Sequence, residues 1–271
     1  MRPAGVQISL LLPTRGRAAL VRRLFDSLVQ TTTDLRRLEV VLYIDEDDGE
    51  SREISHPELS LIRIVGRPGE TMGNMNRACY EASHGPYVML INDDAVFRTV
   101  GWDTRVLEAA SHFPDEIALL YGDDLDQGEA VPTFPIMSRT MCDVLGEICP
   151  RGYRNLHIES HLLDIFKQLA RMGHDRIRYL HDVIVEHMHY VVGKAAVDAT
   201  YIKKSQRDDD LLFIALDDER AFKAKLLAEH IEAGYNYRSK GTESGYASRQ
   251  AIGPGQRVGL IALLKRMFLS S

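Results

Sequence analysis

The chain has 271 residues, 45% apolar and 27% charged, a composition that fits a globular protein with one substantial core and excludes a disordered or collagen-like chain. Its 33 Lys and Arg against 39 Asp and Glu leave a formal charge of -6, which offers no global attraction for nucleic acid. The three cysteines, Cys79, Cys142 and Cys149, match no zinc spacing and are odd in number, so neither disulfides nor structural zinc are expected and a reducing, cytoplasmic setting fits.

Residues 6–12 form an apolar run that stops at Pro13, with no signal-peptide pattern ahead of it, and read as a buried strand. Residues 18–30 follow as a helix, with Leu20, Val21, Leu24, Phe25, Leu28 and Val29 at helical spacing. Strands are predicted at 38–44, 59–65 and 87–91, with a helix at 74–83 between the last two. Strands alternating with helices predict an α/β fold whose mostly parallel sheet is flanked by helices. Polar clusters fall at the C-terminal ends of these strands, at 14–17, 45–48 and 92–94. In open α/β sheets that edge binds ligands.

Beyond residue 116 the pattern loosens. A short strand is predicted at 117–121, then an irregular segment containing Pro132, Pro135 and Pro150. Helical periodicity returns at 158–172, where Leu162, Leu163, Phe166 and Leu169 make one stripe and Gly173 supplies the stop. Residues 183–190 read as a strand carrying His187 and His189, and 217–233 as a helix with its acids early. Residues 234–256, rich in Gly, Ser and Tyr, read as flexible, and 258–269 as an apolar element ending near Lys265 and Arg266. Such a tail suits peripheral contact with a membrane, or packing on its own domain or on a second copy in a homo-oligomer. No run reaches membrane-spanning length.

Asn92-Asp93-Asp94 closes an apolar strand in carboxylates. Mg²⁺ and Mn²⁺ need oxygen ligands, and a carboxylate fixed at a strand end can bridge such an ion to a diphosphate. Taken alone, the triplet reads equally as a turn or a cap.

The motifs in order, Ser9 to Arg17, Val40 to Asp45 and Met72 to Asp94, resemble the A-type (GT-A fold) glycosyltransferases, close to the family 2 group of nucleotide-sugar-dependent enzymes. The resemblance implies a GT-A-like, Rossmann-like domain over 1–235, with a nucleotide-sugar half at 1–116 and an acceptor-facing half at 117–235, followed by a separate segment at 236–271. It implies a nucleotide-sugar donor, UDP-sugar favoured, a carbohydrate or other hydroxyl acceptor, and Mn²⁺ or Mg²⁺. Carried over by position, Pro13, Thr14, Arg17, Asn76 and Asp93 surround the donor and Asp45 contacts its base or ribose. Asn92-Asp93-Asp94 then corresponds to the family's Asp-x-Asp metal motif, with Asn92 in place of the first acid; Asp94 is the metal ligand, with His187 completing the site and His189 as its understudy.

The chain departs from the family at the acid/base position, where the usual Glu-Asp-x-Asp run reads His161-Leu162-Leu163-Asp164. The carboxylates in reach are Glu159, preferred because it shares a helical face with Leu162, Leu163 and Phe166, and Asp164. Burial on that face would raise the Glu159 pKa toward a useful range. The plainer role for Glu159 is a first-turn carboxylate favoured by the helix dipole. Lys194, Lys203, Lys204 and Arg207 could neutralise a diphosphate, and Trp102 reads as core or as a pocket wall. A nucleotidyltransferase and a non-catalytic nucleotide-sugar-binding protein remain the rival readings.

Overall fold

The computed structural model describes residues 5–188 and 206–243. Chain contacts divide the molecule into two units, Met1–Glu232 and Ala233–Ser271, and the fold described here is that of the first. The tail at 258–269 lies outside the described residues, as do His189, Lys194, Lys203 and Lys204.

Strands β1 (Ile8–Thr14), β2 (Leu38–Asp45), β3 (Ser60–Gly66) and β4 (Tyr87–Leu90) run parallel in the order β3-β2-β1-β4. They are joined through helices α1 (Ala18–Thr31), α2 (Gly49–Arg52) and α3 (Met72–Ala82). The sheet continues as β7 (Ile136–Ser138), β6 (Leu119–Asp123), β8 (Ile177–His187) and β5 (Ala95–Phe97), giving eight strands with antiparallel pairings at β4–β7, β6–β7 and β5–β8. The remaining helices are α4 (Trp102–Ser111), α5 (Arg139–Leu145), α6 (Ile158–Arg171), α7 (Gln206–Ala215) and α8 (Asp217–Glu243). Sequence periodicity ends the last helix at Ala233; the structure carries it to Glu243, through part of the segment expected to be irregular. Among the described residues no helix is long and apolar enough to cross a membrane.

The central strands are apolar almost throughout because both faces are covered. Side chains alternate across a strand, so Ile8, Leu10 and Leu12 of β1 enter one core with α1 and α4, while Leu11 enters the other with α3, α5, α6 and α8. In β2, Val40, Leu42 and Ile44 take the first side and Val41 and Tyr43 the second. Trp102 is fully buried in the first core, tilted against Phe97 at 4.5 Å with Nε1 donating to Thr32 Oγ1 at 3.1 Å, so it packs the core. The three cysteines are buried, unpaired thiols, and burial pushes those of Cys79 and Cys142 up to about 12.

Candidate active site

Strand order reverses between β1 and β4, which lie side by side in the sheet although β2, β3 and α1 through α3 lie between them in the chain. The loops leaving these two strands meet at that switch point. Thr14 Oγ1 donates to Asp93 Oδ2 at 2.8 Å, and Arg17 Nη1 donates to Asp93 Oδ1 at 3.0 Å. Asp93 is buried, and burial, reinforced by neighbouring Asp94 and opposed by Arg17, pushes its carboxyl up to about 6. Thr14, Arg17 and Asp93, which the resemblance places around a donor, therefore form one hydrogen-bonded group. Pro13 lies buried in β1 in register with Tyr43 of β2.

Asp94 points to a different partner. Its carboxylate Oδ1 lies 3.3 Å from His187 Nε2, and its Oδ2 lies 3.9 Å from Arg17 Nη1. The short β5 makes this meeting possible, because Ala95 pairs directly with His187 across the antiparallel β5–β8 ladder. Met188 N–H donates to the Asp94 carbonyl at 2.9 Å, and the Phe134 ring stands edge-on to the imidazole at 5.4 Å. The two residues assigned to a metal by resemblance are thus adjacent.

Asp45 ends β2 and is 4% exposed. Arg15 bonds its Oδ2 and also reaches both oxygens of Asp47, while Asp45 Oδ1 is buried with no hydrogen-bond partner among the described residues. Asn76, in α3, is likewise buried with its Oδ1 unpartnered. Buried acceptors without donors are uncommon and mark places where a ligand or a water belongs. Asp48 accepts from Gly16 N–H at 2.6 Å and caps α2, so the acidic loop folds back on the loop after β1. Arg15 was not among the residues singled out in the sequence, although its place beside Thr14 and facing an acidic run marked it.

The acceptor-side candidates sit on α6, whose N-terminus is tied to the same sheet edge. Met72 and Gly73 N–H groups, in the first turn of α3, donate to the Arg154 and Tyr153 carbonyls at 3.3 and 3.0 Å. Gly73 is required there, since a Cβ would collide with the Pro150 carbonyl oxygen and the Arg151 backbone. From the other side Asp209 of α7, 1% exposed, accepts from the N–H groups of Arg154, Asn155 and Leu156 at 2.8–2.9 Å. His157, in the left-handed region at φ 69°, opens α6 with Nε2 2.7 Å from Asp210.

Glu159 lies half-buried in the first turn of α6. Asp164 is held otherwise: Arg220 Nε of α8 donates to it at 2.7 Å and Gln168 Nε2 at 2.8 Å. Burial would raise its pKa, but these bonds outweigh burial and hold the carboxyl below the usual range, which suits an ion pair between helices better than a proton acceptor. His161 is completely buried, with Nδ1 3.2 Å from Tyr153 Oη. Burial, with Lys223 and Arg220 nearby, lowers its pKa to about 3, so its imidazole is neutral.

A further group escaped the sequence reading. Asp124 and Asp126, just beyond β6, bring carboxylate oxygens within 4.8 Å of each other and of a His187 ring nitrogen. The signal was present, since the buried strand before them runs straight into acids as β4 does. The ligand chemistry also fits: carboxylates suit Mg²⁺ and Mn²⁺, and an added imidazole favours the transition ion.

No protein-family profile matches the sequence, and no curated protein matches it. Solved structures do. The mannosyltransferase PcManGT from Pyrobaculum calidifontis, in complex with GDP-Man and Mn²⁺, is 13% identical with a TM-score of 0.55 over 98% of this chain and 81% of its own. TarS from S. aureus is 15% identical at a TM-score of 0.56 over 83% of this chain, which spans only 43% of TarS. The glucosyl-3-phosphoglycerate synthase from Mycobacterium tuberculosis, with Mn²⁺, UDP and phosphoglyceric acid, is 15% identical at 0.52 over 80% of this chain and 79% of its own. The chain has the fold of the A-type glycosyltransferases.

Proposed function

We propose that the protein transfers a sugar from a nucleoside diphosphate donor, UDP-sugar favoured, to the hydroxyl of a carbohydrate or other acceptor, with Mn²⁺ or Mg²⁺ as cofactor. The observation that carries this reading is the switch-point group: Thr14 and Arg17 bonded to Asp93, with His187 Nε2 3.3 Å from Asp94. Strand ends in an open α/β sheet are where nucleotides bind, and a cationic side chain beside paired carboxylates suits a metal-bound diphosphate. Arg17 would stand beside the diphosphate, and the vacant acceptor of Asp45 would take a hydrogen bond from the base or ribose. Asp94 and His187 would hold the metal. When bound, the metal would offset the charge developing on the leaving diphosphate.

Glu159 is the proposed base for the acceptor hydroxyl. It lies in the first turn of α6, beyond a loop fastened to α3 at the ligand edge, whereas Asp164 is held in an ion pair with Arg220 of α8. The chain lacks the family's Glu-Asp pair, which keeps a non-catalytic binding protein as the second reading. A cytoplasmic setting and peripheral membrane contact through the tail belong to the same proposal.

Calorimetric titration with UDP-, GDP-, dTDP- and CMP-sugars, each with Mn²⁺ and with excess chelator, tests the donor site. Metal-dependent binding of one class is expected, and turnover with that donor then separates a transferase from a binding protein. Binding of none would overturn the reading, and pyrophosphate release from a nucleoside triphosphate would favour a nucleotidyltransferase.

A further inference from the structure

We infer that Asp126, on the loop leaving β6, supplies the metal carboxylate that Asn92 fails to provide, with Asp124 as the residue that positions it. The inference rests on the transferase reading and names an additional cation ligand within that site.

Position 92 carries an amide where the resemblance calls for the first acid of the metal motif. An amide oxygen is neutral and a weaker ligand for a hard dication than a carboxylate, so Asp94 and His187 alone leave the site short of charge. The structure brings further charge to the same imidazole. Asp124, Asp126 and His187 each present one ligand atom, and these lie within 4.8 Å of one another. Neighbouring donors on a hexacoordinate ion with bonds of about 2.1 Å lie about 3 Å apart and opposite ones about 4.2 Å, so the side chains turn inward to close the set on an ion.

The two aspartates have different jobs. Asp124 is buried; its Oδ1 accepts from the N–H groups of Asp126, Gln127 and Gly128 at 3.0, 2.8 and 2.9 Å, and its Oδ2 accepts from Thr133 Oγ1 at 2.5 Å. With that many protein donors, Asp124 fixes the loop. The exposed Asp126 side chain takes a hydrogen bond from Gln127 Nε2 at 3.1 Å, against the four that hold Asp124. His187 N–H donates to the Asp124 carbonyl at 3.0 Å and Met188 N–H to the Asp94 carbonyl at 2.9 Å, so β8 delivers the imidazole between the two carboxylate segments. That shared imidazole, a nitrogen donor contributed by a third segment, separates this group from an ordinary acidic turn.

The test is Mn²⁺ binding by the full chain, read from the electron paramagnetic resonance signal of the free ion, with and without UDP. Asp126→Asn is expected to weaken Mn²⁺ binding about tenfold or more at unchanged melting temperature, and Asn92→Asp in that background to recover most of it. A merely structural role for Asp126 would not be rescued from position 92. Wild-type Mn²⁺ affinity in Asp126→Asn would overturn the inference and leave the transferase reading standing, whereas no Mn²⁺ binding by the wild type would overturn both.

Discussion

His187 reaches Asp94 because its own backbone partner is Ala95, the next residue in the chain, across the β5–β8 ladder. The contact between Nε2 and Oδ1, at 3.3 Å, is therefore set by sheet register and not by a flexible loop. Asp94→Asn and His187→Gln are each expected to weaken Mn²⁺-dependent nucleotide binding about tenfold or more, and to leave binding in chelator unchanged. Calorimetry in both conditions checks this, and an undiminished metal response in both variants would remove these residues from the metal site.

That register was not legible in the sequence. The parallel half of the sheet was, because Ile8 to Leu12 and Leu38 to Ile44 are near-continuous apolar runs, interrupted only by Ser9 and Glu39 and buried on both faces, and their polar ends mark the ligand edge. Ala95 to Phe97 is three residues long, with no room for a period to show, and only its pairing with a distant strand makes it a strand. The same limit hid β7 and the role of Asp209, whose hydrogen bonds all run to a loop more than fifty residues earlier in the chain. Asp45 and Asp94 could be named because strand ends are local features, and His187 through the resemblance; Arg15, the partner of Asp45, depends on how the strands assemble.

Glu159 and Asp164 share α6 but should respond differently to loss of charge. Asp164→Ala takes a partner from Arg220, which is nearly buried and retains Asp217 and the Phe213 carbonyl. A loss of about 1–3 kcal/mol of stability is expected, seen as a lower melting temperature. Glu159→Gln should keep the melting temperature and donor binding while turnover falls about a hundredfold or more, the scale of a general base. Unchanged turnover in Glu159→Gln would dismiss it as the base.

Asp209 satisfies three successive N–H groups ahead of α6, so its loss should loosen the loop that joins α6 to the first turn of α3. Asp209→Ala is expected to cost about 2 kcal/mol or more, because buried donors lose a charged acceptor together. Hydrogen exchange locates the effect: protection should fall at residues 153–157 first, and a uniform fall across the sheet would instead mean global destabilisation.

At the opposite edge of the sheet, Glu39 is 1% exposed and accepts from Ser9 Oγ at 2.6 Å, His84 N–H at 2.5 Å and Gly85 N–H at 3.3 Å, with His84 Nδ1 at 3.0 Å. Burial alone would raise its pKa, but the bonds from Ser9 and His84 outweigh burial and hold it below the ordinary value of 4.5. A carboxylate depressed in the folded state binds fewer protons there than in the unfolded chain, so its stabilisation is fully present above the unfolded pKa. It is lost as pH falls below about 4.5 toward the lower folded value. Glu39→Gln keeps the shape and abolishes the titration. It should be less stable than wild type near pH 7, by about 1–3 kcal/mol, and the gap should narrow as the pH approaches 3. Urea unfolding across that range measures it, and a constant gap would show that Glu39 contributes shape without charge.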